Sequence, residues 1–287
     1  MFSYRHGFHA GNHADVLKHM VLVQLLSHLL LKDKPFWVID THAGGGVYDL
    51  TSTYAAKSGE ALDGIVKVWQ ARNAADMPQG VADLLEQIRA TNTGDRLDWY
   101  PGSPQIAAQM LREGDHLRLF ELHPSEIKNL QNHFSSVKRG VSIQAADGFG
   151  GLKGCVPPPP RRGLVHMDPS YEIKEDYRRV VQALKDNVPR FSTGVYAIWY
   201  PEVARRESNQ LPAQLKRAAA ELSVDWLHAT LRVKGASKDG LGLHGSGMFV
   251  INPPHTLYDT LAEALPWLVE TIGVDEHAAY SLEVQQR

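Results

Sequence analysis

Apolar positions along the chain follow two recurring patterns. Short runs rich in β-branched and aromatic residues, each closed by turn or polar residues, occur at residues 36–39, 117–120, 142–144, 163–167, 195–199 and 248–251. Between most of them, apolar residues recur at a spacing of three to four, which predicts helices over residues 16–31, 104–112, 125–134, 174–186 and 201–222. Strands alternating with helices imply an α/β fold with a mainly parallel sheet covered on both faces. In such sheets ligands bind beyond the carboxyl ends of the strands, near the point where strand order reverses. Residues 48–97 break the rhythm, with helical patterns near 64–72 and 81–91 and no clear strand. They read as a small helical insertion within a single domain spanning 1–287; an ordinary long crossover is the alternative reading. Pro157-Pro158-Pro159-Pro160 can continue neither a helix nor a central strand, so it marks a stiff loop leading into the run at 163–167.

Composition narrows the class of protein. A chain of 287 residues buries a core large enough to need no staples. No apolar stretch approaches the roughly 20 residues that cross a bilayer. The nearest, residues 21–31, is interrupted by Gln24, Ser27 and His28 and ended by Lys32-Asp33-Lys34, and it reads as a buried helix. The amino terminus lacks the basic-then-apolar form of a secretion signal. The single cysteine, Cys155, excludes an internal disulfide framework and a zinc site built on several thiolates, which fits a cytoplasmic protein. With a formal net charge of −2, attraction to a nucleic acid has to come from local basic patches. Candidates are Arg161-Arg162, Arg205-Arg206, Lys216-Arg217 and the stretch from Arg232 through Lys234 to Lys238, although any one pair also reads as a solvated face.

The candidate chemistry sits at the carboxyl ends of the runs. The first leads into Asp40-Thr41-His42-Ala43-Gly44-Gly45-Gly46, a glycine-rich turn that lets backbone approach a ligand closely, though without the Gly-x-Gly-x-x-Gly spacing of a dinucleotide site. The second ends in Glu121, an acid placed to accept from both ribose hydroxyls of a nucleoside. The third ends in Asp147-Gly148, where a carboxylate can accept from an adenine amino group while the glycine leaves room for the ring. A plain turn, a solvated carboxylate and a common Asp-Gly turn are the bland readings of these three taken singly. The fourth ends in Asp168-Pro169-Ser170-Tyr171. Jointly they are far more specific, and the constellation resembles class I (Rossmann-like) S-adenosylmethionine-dependent methyltransferases. Asp-Pro-Ser-Tyr is similar to the Asp-Pro-Pro-Tyr signature of enzymes that methylate exocyclic amines, with Ser170 in place of the second proline.

That chemistry accounts for the residue types. An adenine N6 lone pair is delocalised into the ring. If the Asp168 carboxylate and the Pro169 carbonyl each accept one amine hydrogen, the lone pair turns toward the methyl donor, and positioning and fixed dipoles supply the acceleration. Tyr171 is expected to offer a flat face for stacking a base taken out of its helix. No metal is expected: His6, His9, His13 and His19 crowd the amino terminus but lack thiolates and a His-Glu-x-x-His frame.

The string from Ser3-Tyr4-Arg5-His6 to Ala14-Asp15-Val16-Leu17-Lys18-His19 closely resembles the start of the ribosomal RNA large subunit methyltransferase J family, 23S rRNA adenine-N6 methyltransferases. So do Tyr100-Pro101-Gly102-Ser103-Pro104, Glu121-Leu122-His123-Pro124-Ser125, Ala146-Asp147-Gly148-Phe149, Trp199-Tyr200-Pro201 and Ile251-Asn252-Pro253-Pro254, in the family's order and over nearly the whole chain. The resemblance implies S-adenosylmethionine as donor, held by His19, His42, Ser103, Glu121, Asp147, Gly148 and Asp168, and Gly44 of the glycine-rich turn is a further candidate. It implies Asp168 as the catalytic acceptor, with Pro169 and Tyr171 beside it, and Tyr4 against the substrate base. It also implies a helical subdomain after the glycine-rich loop; unassembled 23S rRNA is the expected partner, and a monomer is the expected state. Asn252-Pro253-Pro254-His255 mimics another amine-methyltransferase signature but follows the last run, so it reads as a structural turn. The same chemistry on DNA adenine or a protein glutamine, and a non-catalytic RNA-binding protein, are the alternatives.

Overall fold

A computed structural model describes residues 6–53, 58–137, 139–237 and 242–286. The first helix, α1 (His13–Leu30), starts where the Asn12 side chain accepts from the backbone N–H groups of Ala14 and Asp15, satisfying donors a helix start leaves orphaned. It is apolar nearly all round, as a helix enclosed by other elements must be. The chain then forms β1 (Trp37–Asp40), β2 (Val47–Asp49), a 3-10 turn (Glu60–Asp63), α2 (Ile65–Gln70), α3 (Gln79–Thr91), β3 (Trp99–Pro101), α4 (Ser103–Met110), β4 (His116–Phe120), α5 (Pro124–His133) and β5 (Val141–Gln144). After these come α6 (Gly148–Cys155), β6 (Gly163–Met167), α7 (Glu175–Asn187), β7 (Val195–Glu202), α8 (Arg206–Leu222), β8 (Trp226–Arg232), β9 (Gly245–Ile251), α9 (Leu257–Ile272) and β10 (Ala279–Gln285).

The main sheet runs in the order β10-β8-β9-β7-β6-β1-β4-β5. Strands β5, β4, β1, β6 and β7 pair in parallel, whereas β9, β8 and β10 join antiparallel. This is the α/β fold with a mainly parallel sheet expected from the runs, in the Rossmann-like class that the strand-end constellation resembles. Strand β1 lies between β4 and β6, so the order reverses there and the crevice opens beyond Asp40. Successive residues in the parallel strands serve opposite faces: Val38 and Leu164 join the core beneath α1, while Ile39 and Val165 join the one beneath α7 and α8. Between β2 and β3, which pair with each other, lie α2 and α3. Among the described residues no helix is long and apolar enough to cross a membrane.

Some elements differ from the sequence expectation. The strand expected to end at Trp199 continues to Glu202, because Tyr200, Pro201 and Glu202 pair with Gly247, Ser246 and Gly245 after β6 has turned away. There β7 is paired on one side only, where proline is tolerated, and the helix expected from Pro201 starts at Arg206. Strands β8 and β10 and helices α6 and α9 were not expected. Helix α6 is written in glycine (GFGGLKGC), a poor helix former, and Asp147 caps it. Strand β10 is an edge strand with little burial to impose alternation.

Candidate active site

The site is built from strand ends around β1. Buried Asp40 accepts from Ser103 Oγ (2.6 Å) and from the backbone N–H of His42 (3.2 Å), tying α4 to the glycine-rich turn. Burial pushes the Asp40 carboxyl up, but His166, Ser103 and the His42 N–H outweigh it and hold it below the usual range. Gly44 adopts φ +64°, and a β-carbon there would lie 2.3 Å from the Tyr48 hydroxyl oxygen, which accepts from Gly45 N–H. Glycine is required on both counts.

Glu121 is locked by backbone: Oε2 accepts from Gly44 N–H (2.7 Å) and Oε1 from His123 N–H (2.6 Å). Burial pushes its carboxyl up despite these bonds. Asp147 Oδ2 accepts from Gly150 N–H at the start of α6 and from Arg179 Nη2 (2.5 Å). A β-carbon on Gly148 would fall 1.9 Å from the Thr41 carbonyl oxygen, so α6 can approach β1 this closely only at a glycine. His42 is neutral near pH 7, because burial pushes it down to about 4 against the pull of Asp168, Asp40 and Asp147. Thr41 Oγ1 donates to His166 O and therefore accepts from His42 Nδ1–H (2.8 Å).

Asp168 follows β6 and meets a residue that the reading of the sequence did not select. Lys18 Nζ lies 2.5 Å from Asp168 Oδ2 and 2.7 Å from Asp15 Oδ1, with its side chain only 4% exposed and 5.4 Å from the Trp199 ring centroid. Burial opposes its charge, but Asp15 and Asp168 outweigh burial and raise its pKa. The signal was a lysine one turn after Asp15 inside an otherwise apolar helix; period alone treats such a lysine as solvated.

A cavity of about 400 Å³ brings together His19, His42, Gly44, Ser103, Glu121, Asp147, Gly148, Asp168 and Pro169, with Lys18 and Arg179 in its wall. His19 reaches it from α1, where its Nδ1 shares a hydrogen bond with the buried Tyr100 hydroxyl (2.8 Å). Tyr171 is not in the wall. Its ring is 2% exposed, packs on Tyr177 and Trp199, and its hydroxyl donates to Trp199 O (2.7 Å). The open stacking face expected of Tyr171 is thus corrected: at φ +52° the backbone turns the ring into the core beside α7. Tyr4 lies outside the described residues, as does Lys238.

The other candidates separate. Arg205 Nη1 donates to the carbonyls of Tyr171 and Glu172 and so braces the turn after Asp168. Arg162 donates to backbone carbonyls at Leu29 and Lys34, beside the start of β6 and away from the cavity. Lys216 pairs with Glu283 and Arg232 with Glu202. Asn252 is a turn at φ +53° whose amide donates to Ser192 O and Gly194 O, at the end of the sheet where β7 begins.

Comparison with known proteins places this geometry in a family. The family described as "Ribosomal RNA large subunit methyltransferase D, RlmJ" matches residues 33–284. The chain is 43% identical over 287 residues to the ribosomal RNA large subunit methyltransferase J of Haemophilus influenzae, covering 99% of this chain and 98% of that protein. It is 44% identical over 271 residues to the protein of the same description from Escherichia coli, covering 93% of each. The crystal structure of a protein from Legionella pneumophila, 36% identical, superposes with a TM-score of 0.85 over 96% of this chain and 98% of that one. The chain therefore belongs to the ribosomal RNA large subunit methyltransferase D/J family and is a methyltransferase.

Proposed function

We propose that the protein methylates the exocyclic N6 amine of an adenine in 23S ribosomal RNA, with S-adenosylmethionine as donor. The observation that carries this reading is the position of Asp168 and Pro169 in the wall of the cavity that also gathers Glu121, Asp147 and Gly148. The names of the curated relatives supply the ribosomal RNA as substrate class.

The residues fit such a donor. The volume suits a nucleoside-sized ligand. Glu121, held by backbone on both oxygens, retains lone pairs for ribose hydroxyls, and Asp147 retains Oδ1 for the adenine amine. His19, His42, Gly44 and Ser103 line the remaining wall. When bound, the donor supplies a methyl group already activated by a sulfonium charge.

The chain's own residues orient the amine. Lys18 engages Asp168 Oδ2, so Oδ1 is the oxygen presented to one amine hydrogen while the Pro169 carbonyl takes the other. Fixing both acceptors in advance removes the reorganisation that water would require. Asp168 and Pro169 carry the catalytic role. Tyr171 stiffens the turn that presents them, and Tyr4 is assigned to the substrate base by family resemblance. Residues 48–97 are a helical subdomain inserted in one domain spanning 1–287, and the enzyme acts as a cytoplasmic monomer on RNA not yet assembled with ribosomal proteins.

The test is to incubate the purified protein with S-adenosylmethionine and protein-free, unmodified 23S rRNA and to quantify N6-methyladenosine by nucleoside mass spectrometry. A stoichiometric rise that Asp168→Ala abolishes is expected. Full activity in Asp168→Ala would overturn the mechanism. Methylation of DNA or of a glutamine peptide in preference to the RNA would overturn the substrate.

A further inference from the structure

Arg179 lines the cavity but has no part in the chemistry described above. It projects from α7, the helix that follows the Asp168 turn, toward the capped start of α6. Its Nη2 donates to Asp147 Oδ2 (2.5 Å), and its guanidinium carbon lies 4.6 Å from the Phe149 ring centroid. Phe149 in turn meets the His42 ring edge-on at 4.7 Å. One α-helical turn earlier, Asp176 also lines the cavity. Burial pushes its carboxyl up to about 6, the Asp147 charge adds to this, and Arg179 opposes it.

These contacts constrain a single carboxylate. Asp147 Oδ2 accepts from Gly150 N–H and from Arg179, so two donors on one oxygen restrain the group from rotating. The guanidinium lies over Phe149 in a cation–π contact, which restrains a side chain that would otherwise keep its rotamer freedom. The outcome is one fixed, acceptor-only oxygen, Oδ1, at the end of β5. Lys18 constrains Asp168 through one oxygen in the same manner.

We propose that Arg179 is a positioning and specificity-determining residue for the purine of the methyl donor. By pinning Asp147 Oδ2 it presents Oδ1 alone, which accepts from a 6-amino group and rejects a 6-oxo group. A 6-oxo purine sets its carbonyl oxygen against a carboxylate oxygen whose turning is restrained, so the amine's hydrogen bond is replaced by a repulsion between two acceptors. Without Arg179 only the longer bond from Gly150 N–H (3.3 Å) restrains the carboxylate, and the penalty against the 6-oxo ring falls. This inference rests on the donor reading given above.

The experiment is calorimetric titration of the full chain with S-adenosylhomocysteine and with its inosine counterpart, for the parent, Arg179→Met and Arg179→Lys, with thermal unfolding of each. The parent is expected to prefer the adenine ligand by about 100-fold. Arg179→Met is expected to weaken adenine binding by about 10-fold and to shrink the preference below about 10-fold, with Arg179→Lys intermediate. An unchanged preference in a folded Arg179→Met protein overturns the inference, whether or not both affinities fall together. Should Arg179→Met unfold, Arg179→Lys with a full parental preference overturns it. Failure of the parent to bind either ligand overturns the donor reading instead, so the two failures are distinct.

Discussion

Lys18 Nζ and Asp168 Oδ2 stand 2.5 Å apart although 150 residues separate them in the chain. Asp15, one turn before Lys18, takes the other side of the same ammonium. Its Oδ2 also accepts from Gly11 N–H (2.9 Å), so the segment ahead of α1 is fastened to the carboxylate assigned to catalysis.

Lys18→Met leaves Asp15 and Asp168 facing each other without a cation. Breaking a buried pair from one side costs about 3–5 kcal/mol, and the rotation of Asp168 is no longer restrained. The expected result is a loss of that size in urea unfolding, with at least a hundredfold slower single-turnover methylation. Parental stability and rate in the variant would show that the pair organises nothing.

Gly148→Ala places a methyl 1.9 Å from the Thr41 carbonyl oxygen, a backbone atom that can yield only if α6 moves off β1. Overpacking of this kind costs about 1–3 kcal/mol. S-adenosylhomocysteine affinity is expected to fall with stability, because Asp147 moves with the helix it caps. A variant with the parental dissociation constant would contradict the close approach.

Tyr171→Phe removes the bond to Trp199 O and should cost about 1 kcal/mol. Tyr171→Ala also opens a hole beside Tyr177 and should cost about 3–5 kcal/mol. Chemical denaturation separates the two. If Tyr171→Ala loses RNA affinity at unchanged stability, the ring is a stacking platform after all.

Burial pushes His13, His42 and His228 each down to about 4, from an ordinary value of 6.5. Between these values the unfolded chain binds protons that the folded chain refuses. Stability contributed by these groups is full above about pH 6.5 and is lost as the pH falls toward 4, by up to roughly 3 kcal/mol each. Urea midpoints measured from pH 7.5 to 5 should fall, and His228→Gln, which keeps an acceptor for Tyr200, should flatten part of the slope. An unchanged slope in that variant would exclude His228 as a contributor.

The alternation of apolar runs and helical spacings was enough to read the mainly parallel α/β sheet, because it follows from local patterns of two and three-to-four residues, whereas the pairing of β1 with β4 and β6 placed the crevice beyond Asp40. It was enough, too, to select Glu121, Asp147 and Asp168: a strand's last residue is marked by where its apolar run stops, and parallel strands place those ends along one edge. The family string added His19, His42 and Ser103, which no period distinguishes from ordinary helix and turn residues. Tertiary structure alone decided that Lys18 is buried against Asp168, that Arg179 grips Asp147, that Tyr171 turns inward, and that β8 and β10 extend the sheet. Each of these depends on which distant segment supplies the neighbouring charge, ring or strand edge, and a side chain's desolvation is set by that neighbour rather than by its own place in the chain.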